Sequence, residues 1–193
     1  GGIAQFNNSL YNELSKDHEV CAFNFKRQYP GLLFPGKTQY VEQVDSDMQF
    51  ESIRVLDTIN PFSYIRTARK ITELAPDLLI MRYWMPFFAP SQGFVARHIN
   101  KNCKVISILD NVIPHEPHFF DPPLTRYFLG SNDAYILLCN AVKEDLMKFK
   151  PDAECIVSPH PIYSNFGERL SRESACSKLG ISPDKKNLLF FGL

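Results

Sequence analysis

The stretch CKVISILDNVIPHEP, residues 103–117, decides both the fold and the place of the site. Residues 105–109 are apolar and β-branched, broken only by Ser107, which predicts a strand covered on both faces. The strand runs into a loop that carries four polar side chains, Asp110, Asn111, His115 and Glu116. Ligands of open α/β sheets bind outside the carboxyl ends of the strands, so this pattern favours a binding site. The alternative is a capped turn, stiffened by prolines, in which Asp110 bonds its own backbone.

Strand-like and helix-like runs alternate on both sides of this stretch. Further strands are predicted at residues 18–25, 52–57, 77–84, 134–140 and 153–161. Helices are predicted at residues 3–15, from Asn60 to residue 74, at 91–100, from Asp121, after Asn140 as a cap, and at 172–179. Strands separated by helices indicate right-handed βαβ units, so the sequence predicts an α/β fold with a doubly wound parallel sheet.

Composition narrows the class of protein. Lys plus Arg and Asp plus Glu both count 21, so the formal net charge is +0 and nothing indicates a nucleic-acid partner. The five cysteines are scattered and lie mostly in or beside apolar runs, which is typical of the reducing cytosol. No apolar stretch of the sequence approaches the roughly 18 to 20 residues that span a bilayer. We therefore expect a globular cytoplasmic protein.

Both ends of the sequence differ from those of a complete domain. Gly1 and Gly2 stand directly before a predicted helix, where the phosphate-approaching turn after a first strand belongs, yet no strand precedes them. Residues 186–193, KNLLFFGL, predict a strand that has no sheet to join. We therefore expect residues 1–185 to be one domain without its first strand, and residues 186–193 to be the first strand of a second domain.

The order of these features resembles that of a known enzyme family. A glycine pair with a helix is followed by a strand ending in DNVIPHE, a strand ending in LLCN, and then SPHPIY and LLFFGL. This order resembles the N-terminal domain of family-4-type retaining glycosyltransferases with the GT-B fold, and it covers essentially the whole chain. The loop RQYPGLLFPGKTQ, residues 27–39, is similar to a loop of one branch of that family.

The resemblance implies transfer of a sugar from a nucleotide-sugar donor to a glycan or lipid-linked acceptor, with retention at the anomeric carbon. The commonest setting of such enzymes is polysaccharide biosynthesis. Two Rossmann-like domains would face each other across a cleft, with this domain on the acceptor side and Gly1 and Gly2 against the donor. A helix N-terminus without side chains offers free N–H groups to an anion, although the pair could also be an ordinary turn. The nucleotide sugar is a substrate, so the resemblance implies no cofactor, and it implies no bound metal.

Asp110 departs from the family pattern, because many relatives carry His at this strand end. A carboxylate can orient a sugar hydroxyl or act as a general base, and geometry decides between these roles. Asn111, His115 and Glu116 are candidates for binding acceptor hydroxyls, or they tie the loop to its own backbone. His115, Glu116 and His118 also invite a metal hypothesis, which the proline-broken loop disfavours.

Aromatic and apolar residues raise two further alternatives. Tyr83 and Trp84 end a strand, so their rings either line the cleft and stack on a sugar or form a plug between strand and helix. The apolar segments at residues 32–34 and 85–88 either fold back into the core or contact a membrane surface or an acceptor's lipid tail. The second possibility predicts a peripheral enzyme at the inner face of the cell membrane.

Two rival functions remain open on the sequence. One is a noncatalytic Rossmann-like module that binds a nucleotide or a partner, and the other is a GT-B-fold nucleotide-sugar epimerase. A transferase of this family should carry an Arg and Lys pair soon after residue 193, and then two glutamates eight positions apart. Because most donor contacts would come from the second domain, we expect residues 1–193 alone to be inactive.

Overall fold

The structure, a computed structural model, describes residues 2–31, 50–114, 116, 118–161 and 167–190. Its helices are α1 Gly2–Leu14, α2 Pro61–Leu74, α3 Ala89–His98, α4 Asp121–Leu129, α5 Asn140–Phe149 and α6 Arg172–Leu179. Its strands are β1 Ala22–Arg27, β2 Ser52–Asp57, β3 Leu78–Tyr83, β4 Lys104–Leu109, β5 Ala134–Leu137 and β6 Cys155–Val157. A 3-10 turn, Pro86–Phe88, leads into α3. The predicted alternation of strands and helices is confirmed.

The strands form two parallel sheets within the described ranges. β1 pairs with β2, and the second sheet has the order β3-β4-β5-β6. The predicted α/β class with a parallel sheet flanked by helices is therefore confirmed, and the arrangement is compatible with a Rossmann-like fold. The sequence predicted one sheet, whereas the structure has a break, because β1 and β3 are not joined by any strand among the residues described.

The core lies around β4, whose buried run begins the quoted stretch. Val105 and Ile108 are almost fully buried and Leu109 is fully buried, as a strand covered on both faces requires. Tyr83, at the end of the neighbouring β3, is also fully buried and stacks on Phe128 of α4 with ring centroids 4.1 Å apart. The hypothesis that Tyr83 lines a cleft is therefore wrong, because its ring is a plug between strand and helix.

Local signals set most helix starts. The Asn60 side chain accepts a hydrogen bond from the Phe62 N–H at 3.1 Å, with Pro61 in the first turn of α2, as predicted. The predicted start of α4 at Asp121 is also confirmed. Helix α5 starts one residue earlier than predicted, because Asn140, the predicted cap, is already helical. Cys139 occupies the capping position and makes no side-chain cap bond.

The chain divides into two compact units, Gly1–Pro159 and His160–Leu193. In the second unit, α6 is capped by Ser171, and Arg172 donates to the carbonyls of Pro183 and Lys185 at 2.8 and 2.7 Å. Residues 186–190 are not in a strand, which differs from the expected strand, and their apolar side chains are exposed: Leu188, Leu189 and Phe190. A strand there would need a neighbour to pair with, so the second-domain assignment of residues 186–193 remains a prediction.

Candidate functional site

Two neighbouring strands end side by side at the expected site. β3 and β4 are parallel and in register from Leu78↔Lys104 to Tyr83↔Leu109. The ladder continues past the strands, because the Asp110 N–H donates to the Tyr83 carbonyl at 2.9 Å. Trp84 and Asp110, the residues that follow these strands, therefore lie at the same carboxyl edge, which is where an α/β sheet binds its ligands.

Asp110 is held by an arginine at this edge. Arg82 Nε donates to Asp110 Oδ2 at 2.8 Å, and Arg82 Nη2 donates to Oδ1 at 2.6 Å. Arg82 is in register with Ile108, and Asp110 is two residues further along, so strand alternation puts both side chains on one face. The side chains of Arg82 and Asp110 are only 7% and 18% exposed. The result is a bidentate, largely buried ion pair.

Helix α1 contacts the arginine of this ion pair. The Arg82 guanidinium lies over the Phe6 ring, 4.2 Å from its centroid, and Arg82 Nη1 is 3.4 Å from Asn7 Oδ1. From within the fold, Gln92 donates to the Arg82 carbonyl at 3.0 Å. Gly2 is the first residue of α1 and is exposed, and a Cβ added there would meet no atom within 4 Å. Gly1 lies outside the described residues.

Trp84 belongs to an aromatic cluster next to Asp110. Its ring lies 4.4 Å from the Phe88 ring, and its indole N–H donates to the Tyr29 hydroxyl at 3.3 Å. Phe88 is fully buried and Pro86 is buried, whereas Met85 and Phe87 are half-buried. This burial favours the core alternative for residues 85–88, the membrane alternative stays a prediction, and residues 32–34 lie outside the described residues. Within the part of the chain that is described, no helix is long and apolar enough to cross a bilayer.

The loop after Asn111 is only partly described. Asn111 is half-buried beside Asp110, Glu116 is exposed, and His115 is outside the described residues. The His118 N–H donates to the Asp121 carboxylate at 2.7 Å, and the imidazole stacks on Phe120. This contact ties the loop to the start of α4. Among the residues described, no group of three His, Cys, Asp or Glu side chains could hold a metal ion.

A second arginine and aspartate pair joins the other two strands. Arg27 Nε and Nη2 donate to the Asp57 carboxylate at 3.0 and 2.6 Å, at the carboxyl ends of β1 and β2. This hydrogen bond raises the pKa of Arg27, whose side chain is 45% exposed. Asp57 Oδ1 also accepts the Ile59 N–H at 3.2 Å. The pair therefore has the same bidentate geometry as Arg82 and Asp110 but is more exposed to solvent.

Sequence reasoning missed both arginines. The signal was present in DLLIMRYW, where Arg82 interrupts an apolar strand one residue before its end. A charge in a largely apolar strand needs a partner, and Asp110 directly follows the next strand of the chain. Chemically, the held carboxylate can accept further hydrogen bonds from hydroxyl groups through lone pairs that Arg82 leaves open.

The comparisons with known proteins add no assignment. No model of a known protein family matches this chain, and a search of curated proteins found no significant match.

Proposed function

We propose that this domain is the acceptor-side half of a retaining glycosyltransferase with the GT-B fold. The intact protein would transfer a sugar from a nucleotide-sugar donor to a glycan or lipid-linked acceptor. The observation that carries the proposal is the Asp110 carboxylate at the carboxyl edge of parallel strands, bound by Arg82, which in turn contacts Phe6 of α1. A fixed acceptor of hydrogen bonds next to the helix that follows a glycine pair suits a substrate with hydroxyls and phosphates.

The geometry favours an orienting role for Asp110 over a base role. Both of its oxygens already accept N–H bonds from Arg82. Such a carboxylate can align an acceptor hydroxyl through a lone pair that Arg82 leaves open, whereas a base that takes the proton becomes neutral and gives up the charge that pairs with Arg82. In our proposal the leaving diphosphate takes the acceptor's proton, Gly1 and Gly2 face the donor phosphates, and Asn111, His115, Glu116 and Trp84 contact the acceptor.

The proposed fold would place a further parallel strand between β1 and β3, which no strand joins among the described residues. A helix that joins two parallel strands starts at the carboxyl end of the first and leads to the amino end of the second. α1 leads into β1, and its Phe6 lies against Arg82 near the carboxyl edge of β3. A parallel strand before α1 would fit between β1 and β3. The Phe25 ring of β1 lies 5.4 Å from Phe88, which follows β3, so the two sheets approach each other there.

The decisive experiment uses the protein expressed from its complete coding sequence. We would incubate it with a panel of nucleotide sugars, with and without glycan acceptors, and measure the release of nucleoside diphosphate, the identity of the remaining nucleotide sugar and the binding of each donor. The proposal predicts release that depends on the acceptor. Conversion of the donor without an acceptor would indicate an epimerase, and binding without turnover would indicate a noncatalytic module, so either result refutes the proposal.

Two controls sharpen this experiment. Asp110→Asn should lower turnover, because the amide presents only one acceptor oxygen to Arg82 and the substrate together. Lys148→Ala, on α5, should leave turnover unchanged, since Lys148 pairs with the neighbouring Asp145 at 2.7 Å and its side chain is 64% exposed. Residues 1–193 alone should give no product. Product from that fragment would contradict the two-domain assignment.

A further inference from the structure

We infer that Arg82 is a positioning residue that couples the donor side of the site to the acceptor side. This inference rests on the proposed function, in which the turn before α1 faces the donor and Asp110 faces the acceptor. Arg82 touches both structures, because it bonds Asp110 after β4 and contacts Phe6 and Asn7 on α1. It acts through these neighbours, since its own side chain is only 7% exposed.

The planar shape of the guanidinium makes this coupling specific to arginine. One edge, Nε and Nη2, donates both bonds to the carboxylate, while Nη1 lies 3.4 Å from Asn7 Oδ1 and the guanidinium carbon lies 4.2 Å over the centroid of the Phe6 ring. A lysine ammonium is a point charge that cannot form the fork and stack with its plane at the same time. Any shift of α1 therefore moves the guanidinium, and with it the carboxylate of Asp110.

Such a link has a kinetic consequence. Transfer requires the reacting atoms of donor and acceptor to be held in one geometry, and a displacement of about 1 Å lowers the rate about a hundredfold. If Arg82 sets the distance between the two sides, its replacement impairs the use of both substrates. If it only stabilises the fold, replacement leaves the kinetics of the folded enzyme unchanged.

The test compares Arg82→Lys, Asp110→Asn and the double variant in the intact enzyme, at a temperature where circular dichroism shows each to be folded. Arg27→Lys is the matched control, because Arg27 makes the same bidentate bond to Asp57 between β1 and β2. We expect Arg82→Lys to lower kcat about a hundredfold and to raise KM for both substrates. The kcat of the double variant should be little lower than that of either single variant, because each single substitution already breaks the same Arg82–Asp110 pair.

With an active wild-type enzyme, three outcomes overturn the inference alone. Arg82→Lys with an unchanged KM for the donor would show that α1 is not coupled. Effects of Arg82→Lys and Asp110→Asn that multiply in the double variant would show independent roles. Equal losses in Arg27→Lys would show a general structural effect. If the intact wild-type protein releases no nucleoside diphosphate, the proposed function is refuted, and this inference with it. That result differs from the three above, in which the wild-type enzyme is active.

Discussion

Removal of the Asp110 carboxylate should destabilise the protein strongly. Asp110→Ala leaves the Arg82 guanidinium, with a side chain only 7% exposed, without its bidentate partner. Breaking a buried ion pair from one side costs about 3–5 kcal/mol. The Asp110 side chain is 18% exposed, so water can reach part of the vacated space, and we expect the low end, about 3 kcal/mol. With a urea m-value of about 2 kcal/mol/M, the midpoint should fall by about 1.5 M.

A double-mutant cycle separates the ion pair from other effects of the substitution. Arg82→Met removes the charge and keeps an apolar stem, and in the Asp110→Ala background no unpaired buried charge remains. We therefore expect the double variant to be about 2 kcal/mol more stable than the sum of the single losses predicts. Urea unfolding followed by the fluorescence of the single tryptophan, Trp84, measures each step.

The pair of Arg27 and Asp57 is the internal control for this cycle. It has the same bidentate geometry, but the Arg27 side chain is 45% exposed, so water solvates it when Asp57 is removed. Its coupling energy should be clearly smaller, and it should weaken as salt is added. Additive losses for Arg82 and Asp110, or equal coupling energies for the two pairs, would refute the argument from burial.

Other predictions follow from individual buried groups. Burial raises the pKa of the Tyr83 hydroxyl, so above about pH 10 this tyrosine ionises in the unfolded chain but not in the folded protein. The free energy of unfolding should therefore fall as the pH rises above that value, and it should fall less steeply in Tyr83→Phe. Urea unfolding at several pH values measures both slopes. Burial also raises the pKa of the Cys103 thiol, so mass spectrometry of iodoacetamide-treated native protein should show Cys139, which is exposed, alkylated well before Cys103. A Cβ on Gly93 would lie 2.7 Å from a Tyr127 ring carbon, so Gly93→Ala should lose about 1–3 kcal/mol in urea unfolding, and adding Tyr127→Ala should relieve that strain.

Sequence reasoning succeeded where the signal was local. The β-branched run of β4 identified the buried strand, and Asn60 with Pro61 identified the start of α2, because each feature depends on adjacent residues. It placed Asp110 at a strand end for the same reason. The first strand was predicted at residues 18–25 but runs from Ala22 to Arg27, because residues 15–18 continue as turns after α1.

Contacts that depend on which strands are adjacent, and on their register, could not be predicted from the sequence. The partnership of Arg82 with Asp110 requires that β3 and β4 be adjacent, parallel and aligned, and no single segment of sequence states that. The same holds for Trp84, whose partners Tyr29 and Phe88 come from a distant loop and from the next turn. The break between β1 and β3 also became visible only when the strand order was known.

The burial of the Arg82 and Asp110 pair is an argument for function. Buried ion pairs add little to the stability of a protein, because replacing them with well-packed apolar residues of similar volume often leaves the protein as stable or makes it more stable. Arg82→Met combined with Asp110→Leu should therefore unfold at a urea concentration near that of the wild type, while the site loses its fixed hydrogen-bond acceptor. Near-normal stability with loss of transfer by the intact protein would assign the pair to substrate positioning. Near-normal stability with full transfer would remove Asp110 from the site altogether.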